Sequence, residues 1–212
     1  MFEHQEDVQE TLKRLRREQI LEAAGRVFAE KGYHSAKMRD VASAAGVSNG
    51  TVYNYFASKE ELLQALLHRL NETEQRSAQF SGEGGRSLPE LMEKLLAHRF
   101  GFLGEHAEIF RAVLPVLLSM PSLREDYQRE VLAPSFEMAD GWLEGMMEAG
   151  VLKRADPSMV GRLLAAQALG LLMIRLLGDE STCERWEDFP ALVTQVFCDG
   201  LRDVEQEESR DE

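Results

Sequence analysis

Residues 36–61, AKMRDVASAAGVSNGTVYNYFASKEE, constrain this chain more than any other stretch. Gly46 stands between an apolar-periodic segment (Met38, Val41, Ala42, Ala45) and a polar one (Ser48, Asn49, Thr51, Tyr53, Asn54, Tyr55). The spacing predicts a short helix over about 38–45 and another over about 49–55. Two short helices joined at a turn glycine have the composition of a helix-turn-helix, whose second helix enters the DNA major groove. That second helix is too short for a core helix and is crowded with groups that hydrogen-bond to bases and phosphates. The stretch points to a DNA-binding protein rather than an enzyme.

A formal net charge of -13 opposes that reading until its distribution is followed. Residues 11–70 carry ten Lys/Arg against six Asp/Glu, whereas residues 71–212 carry fourteen against twenty-seven. The first ten residues add four carboxylates. A basic head on an acidic body suits a protein that meets phosphate with one end only. At 212 residues the chain can bury one sizeable core, or a small domain plus a larger one. No run of 18 apolar residues exists, so no membrane span is expected. The longest apolar stretch, 163–177, is interrupted by Gln167 and Arg175 and reads as a helix buried on two sides. The opening MFEHQEDVQE is acidic and lacks the apolar core of a signal peptide. With Cys183 and Cys198 its only cysteines, the chain reads as reduced and cytoplasmic.

Val, Ile and Thr are sparse and period-two alternation is not sustained, so the fold class is all-α, with about nine helices. The first is expected over about 12–31, with Ile20, Ala24, Val27 and Phe28 on its core face, Lys13, Arg14, Arg16 and Arg17 in its first turns, and Gly32 as a left-handed stop. Ser58 to Glu61 reads as a capping box opening the fourth. Gly82, Gly84 and Gly85 mark a linker over 80–86. Further helices follow over about 87–104, 109–120 (with Pro115 bending or ending it), 122–150 (with Pro134 as a kink), 157–177 and 188–204. Asp156-Pro157 is a strong start signal for the penultimate one. The expected domains are a three-helix DNA-binding head over 11–57, a connecting helix over 58–79, and a helical ligand-binding and dimerisation domain over 80–207. Residues 1–10 and 208–212 are expected to be disordered tails.

The residue types Gly32-Tyr33, Arg39 to Ala42, Ala44 to Ser48, Thr51 to Phe56 and Ser58 to Leu62, agreeing at fixed spacing without a gap, resemble the DNA-binding domain of the TetR/AcrR family of bacterial transcription regulators. The resemblance covers about residues 16–66; beyond residue 70 it is one of architecture only. It implies that Ser48 caps the recognition helix and that Asn49, Gly50 and Thr51 face the groove. It implies that Tyr53 and Tyr55 meet phosphates or thymine methyls, and that Val52 and Phe56 face the small core. Lys59 would pair with a phosphate, and Arg39 is a further candidate. Lys37 departs from the family pattern: it stands where a Ser or Thr usually caps the second helix, a loss of about 1 kcal/mol unless Ser35 substitutes.

The rest of the chain offers a weaker signal. Phe100, Phe102, Phe110, Trp142, Met146 and Met173 are candidates to line a pocket for an apolar effector, since Met and aromatic linings adapt to such ligands. Arg175 or Gln167 could anchor a polar end, or Arg175 could join an interface. The apolar helix over 157–177, with Ala165, Ala166 and Gly170 permitting close approach, is expected to form a homodimer with the helix over 188–204. The function expected is a ligand-responsive repressor released from a palindromic operator by a small apolar molecule, with no cofactor and no metal. The alternative from another class is a small helical enzyme or metal-binding protein using His98, His106 and nearby carboxylates. A second is an architectural DNA-binding protein without a ligand.

Overall fold

The computed structural model describes residues 2–71 and 88–201, and every regular element among them is helical. In chain order these are α1 (Phe2–Lys31), α2 (Met38–Ala44), α3 (Asn49–Tyr55), α4 (Lys59–Leu70), α5 (Leu88–Glu105), α6 (Ala107–Ser119), α7 (Pro121–Tyr127), α8 (Ala133–Glu148), α9 (Pro157–Leu176), α10 (Glu180–Glu184) and α11 (Phe189–Leu201). The described residues divide into two units: 2–71 with 108–128, and 88–107 with 129–201. The expected linker over 80–86, the end of the connecting helix, the last residues of the final helix and the tail 208–212 fall outside the described residues.

The first unit is built on α1. Ile20, Ala24, Val27 and Phe28 are buried, as their spacing predicts. The helix starts at Phe2, ten residues before the expected start, so the segment read as a disordered tail is helical. Straight-chain Glu, Gln, Lys, Arg and Leu favour helix there, and no Gly or Pro interrupts before Gly25. Gly32, at φ 74°, ends α1 and donates its amide to the Phe28 carbonyl at 2.9 Å. Leu62, Leu63, Leu66, Leu67 and Leu70 of α4 complete the small core. Ile109 of α6 sits in a notch on α1 left by Gly25, where a Cβ would lie 2.7 Å from the Ile109 side chain.

The prolines of this region are accommodated in different ways. Pro115 lies inside α6 without ending it, and the helix stops at Ser119. α7 starts one residue before the expected 122: Pro121 takes the first helical position behind an extended Met120. Proline needs no N–H there and its φ is already set. The segment expected as one helix over 122–150 is split by a π-helical turn, Gln128–Leu132, immediately before Pro134. Proline cannot donate to the carbonyl four residues back, and the widened turn accommodates that loss.

In the second unit α8 packs on α9 and α11 packs on α5. Gly161 lets α9 approach α8: a Cβ there would meet the Asp140 carboxylate at 3.2 Å and Leu143 at 3.5 Å. Asp156 caps α9 by accepting from the Ser158 and Met159 amides at 2.9 and 3.2 Å, with Pro157 at the first position. The short α10 and the 3-10 turn Trp186–Asp188 had no sequence signal strong enough to be expected. Both thiols, Cys183 and Cys198, are free.

Candidate nucleic-acid interface

The turn before α3 is closed by the backbone. Gly46, at φ 65°, donates to the Ser43 carbonyl at 3.2 Å, and Val47 donates to the Ala42 carbonyl at 3.0 Å. These are the paired bonds of a Schellman stop, which needs a left-handed residue at the position of Gly46. Ser48 then caps α3: its Oγ accepts from the Thr51 amide at 3.0 Å and lies 2.8 Å from the Thr51 hydroxyl. α3 buries Val52, and Phe56 follows it into the core. Ser48, Asn49, Gly50, Tyr53 and Asn54 are exposed, with Thr51 and Tyr55 half-buried. A helix anchored by two apolar residues and otherwise displaying amide, hydroxyl and phenol groups has little to do in a core. It presents hydrogen-bonding groups of the kinds that can meet base edges.

Arg39 is exposed on α2. The missing Lys37 cap is offset from the other direction. Asp40 accepts from the Lys37 amide at 3.0 Å and pairs with Lys31 Nζ at 3.0 Å. The Lys31 hydrogen bond, then that from the Lys37 amide, hold the Asp40 carboxyl below its ordinary range. The Ser58 box is half as expected. Ser58 accepts from the Glu61 amide at 3.1 Å, but Glu61 reaches back one residue further, to the Ala57 amide at 2.7 Å.

Lys59, expected to pair with a phosphate, is held by contacts within the head. Its ammonium donates to the carbonyls of Tyr33, His34 and Ala36 at 2.8, 3.3 and 3.1 Å, and lies 4.3 Å from the Tyr33 ring centre. An ammonium has three N–H groups, and all three have acceptors. Lys59 therefore ties the α1–α2 turn to the start of α4, and a phosphate would have to share it. The Tyr33 phenol donates to Glu60 at 3.3 Å. Burial first, and the Glu60 charge second, push that phenol up to about 12. Two positioning contacts were missed from sequence. Gln19 donates to the Ala45 carbonyl at 2.7 Å, and the Arg17 guanidinium lies 5.1 Å from the Phe56 ring centre.

Residues 20–66 match the family described as bacterial regulatory proteins, tetR family, and residues 88–196 match the C-terminal domain of AefR-like transcriptional repressors. The chain is 32% identical over 198 residues to the HTH-type transcriptional regulator TtgR of Pseudomonas putida, covering 86% of this chain and 90% of that one. It belongs to the TetR family. It is also 30% identical over 142 residues to the fatty acid metabolism regulator protein of Bacillus subtilis, covering 66% and 73% of the two chains. The solved structure of the fatty acid degradation regulator FadR from Bacillus halodurans superposes with a TM-score of 0.73 at 25% identity, covering 87% of this chain and 99% of that one. As a TetR-family member the protein is a DNA-binding transcriptional regulator, and the enzyme alternative has no support.

The residues expected to line an effector pocket differ in burial and in neighbours. Phe100 is buried in an aromatic cluster, 5.0 Å from Trp186 and 6.4 Å from Phe189. Phe102 stacks on His106 at 4.2 Å. Phe110 is buried in the first unit, Trp142 and Met146 are half-buried on α8, and Met173 is exposed on α9. Trp186, not singled out in the sequence, organises the second unit: its indole N–H donates to the Phe100 carbonyl at 2.9 Å. Arg175 lies 4.6 Å over its ring, and both crowd onto Gly104, where a Cβ would meet them at 2.8–3.0 Å. The rival metal reading gains nothing. His106 Nδ1 is 2.9 Å from the Phe102 carbonyl, and no three His, Cys, Asp or Glu come together as ligands among the described residues.

Proposed function

We propose that the protein is a cytoplasmic, homodimeric repressor that reads a palindromic operator through α3 and leaves it when a small apolar effector binds within the second unit. The observation that carries this reading is the surface of α3. Asn49 and Gly50, exposed, and Thr51, half-buried, occupy its N-terminal turn, aimed by a glycine stop on one side and by Val52 and Phe56 on the other. Asn49 and Thr51 are the base readers, Tyr53, Tyr55 and Arg39 the backbone contacts, and Ser48, Gly50 and Lys59 set their position. In a dimer the two recognition helices lie one helical turn apart, roughly 34 Å, in successive major grooves on one face of the duplex.

Two buried groups support an effector with a polar end. Gln167 Oε1 and Arg175 Nη1, both on α9, have no hydrogen-bond partner among the described residues. A buried donor or acceptor left unmade costs roughly 1–3 kcal/mol, which a ligand can recover. The names of fatty-acid regulators among the relatives, and stearoyl-CoA in complex with FadR of Bacillus subtilis, favour an acyl compound. Trp142, Met146 and Phe102 are the lining candidates that stay partly accessible.

Selection of duplexes from a random pool by the wild-type protein supplies the test. The enriched site should be palindromic. An Asn49→Ala, Thr51→Ala double variant should lose base preference at roughly 1–3 kcal/mol per good contact while still holding DNA non-specifically. An unchanged preference would remove α3 from the reading role.

A further inference from the structure

The face of α1 that packs the head does not end where the core ends. Ile20, Ala24, Val27 and Phe28 form its apolar seam. Carried backwards with the same helical period, the seam passes through Arg17, Arg16 and Lys13. Residues 8–19 are all exposed, so the seam changes from apolar to basic at the edge of the core. Two contacts fix where the basic part points. Arg16 donates to Gln19 at 2.9 Å, and Gln19 in turn donates to the carbonyl of Ala45, one residue before the turn glycine. Arg17 lies 5.1 Å over Phe56, the residue that closes α3. Ala45 and Phe56 bracket the recognition helix, and both are touched from this one turn of α1. Lys13 stands about 10 Å beyond Ile20 along the axis, with Glu10 at 3.9 Å in a fully hydrated pair of little strength.

We propose that Lys13, Arg16 and Arg17 form a second DNA-contacting surface, a clamp on the sugar-phosphate backbone bordering the groove that α3 reads. This rests on the reading of α3 as the recognition helix. A major groove is about 12 Å wide, so charges held within one helical turn of both ends of α3 reach the bordering strand rather than the base edges. The clamp adds affinity without sequence preference. It also gives an acidic protein, at -13 overall, a local field strong enough to dock head first. The carboxylate beside the clamp on its own helix is Glu10, while Glu18 lies round the helix and is drawn toward Arg69 at 3.6 Å.

The experiment measures affinity against salt for the full chain, on the duplex enriched by selection and on a scrambled duplex of equal length. A Lys13→Gln, Arg16→Gln, Arg17→Gln variant should keep the wild-type preference between the two. Its log affinity against log salt should be flatter by about 0.9 per lost contact, roughly 2.7 per protomer. Lys13→Gln alone, which touches nothing in the core, should flatten the slope by about 0.9 per protomer and leave the thermal midpoint unchanged. A wild-type slope in both variants overturns the clamp and marks the basic seam as a solvated face. Loss of preference with an unchanged slope assigns these residues to base reading and also overturns it. A wild-type protein that enriches no duplex overturns the α3 reading itself, and the clamp with it.

Discussion

Single side chains in the head act mainly by holding backbone where α3 needs it. Lys59 satisfies three carbonyls of the turn between α1 and α2, and Asp40 replaces the cap that Lys37 cannot supply. Both roles are invisible in a motif, because a motif records residue type and not which backbone group the side chain meets. Asp40 makes a testable case. Its two donors favour the charged form, so its folded pKa lies below the ordinary 3.8. A depressed carboxylate contributes stability that is complete above the unfolded value and is lost as pH falls through the folded one. The urea midpoint of Asp40→Asn should therefore fall below wild type at pH 6 by a constant margin. That margin should narrow as the pH drops below about 3.8. A margin independent of pH would show that the charge on Asp40 is not what holds α2.

Elements whose ends are decided within four residues were legible: Gly32 and Gly46 as stops, Ser48 and Asp156 as caps, and Pro157 as a first helical residue. So was the basic head on an acidic body. What could not be read depends on partners distant in sequence. Trp186 bonds to Phe100, 86 residues away, and Lys59 reaches carbonyls 23 to 26 residues back. The surroundings of the expected lining residues could not be read for the same reason, since an aromatic or Met residue carries no mark of which apolar face it will join. Phe100 went to an aromatic core and Met173 to an exposed face. The turn between α2 and α3 shows how sharply a local signal can be tested. A Cβ on Gly46 would meet nothing within 4 Å, so only its positive φ resists substitution. Gly46→Ala should cost about 1–2 kcal/mol from the left-handed backbone alone, and Gly46→Asn, which tolerates that region better, should cost less. Equal losses in denaturant titrations of the two variants would point instead to a steric clash.

At the scale of the molecule, α9 poses the largest physical problem. Its inner face buries Val160, Ala168 and Leu172, yet its outer face is apolar as well. Met159 (71% exposed), Leu163 (59%), Met173 (43%), Ile174 (44%) and Leu177 (81%) fall on one stripe of that outer face. Ala166 and Gly170 lie between them on the same stripe, leaving room for another helix. On α11, Leu192 and Val196 are exposed one turn apart. The helix is long and apolar enough to cross a bilayer, but Arg162 pairs with Asp140 at 3.4 Å and Arg175 packs on Trp186. An extended apolar stripe on a water-facing helix marks an interaction surface, and a palindromic operator calls for a two-fold partner. The proposed self-association through α9 and α11 would resolve both demands, because the stripe on each protomer would cover its symmetry mate. Leu163→Glu with Ile174→Glu places four carboxylates at the two-fold contact. In sedimentation at micromolar concentration the wild type should run as a dimer and the double variant as a folded monomer. Operator affinity of the monomer should collapse toward that of a single half-site, with base preference retained within it. A wild-type protein that sediments as a monomer at that concentration, or a double variant that remains dimeric, would place the dimer contact elsewhere and leave the stripe on α9 for another partner.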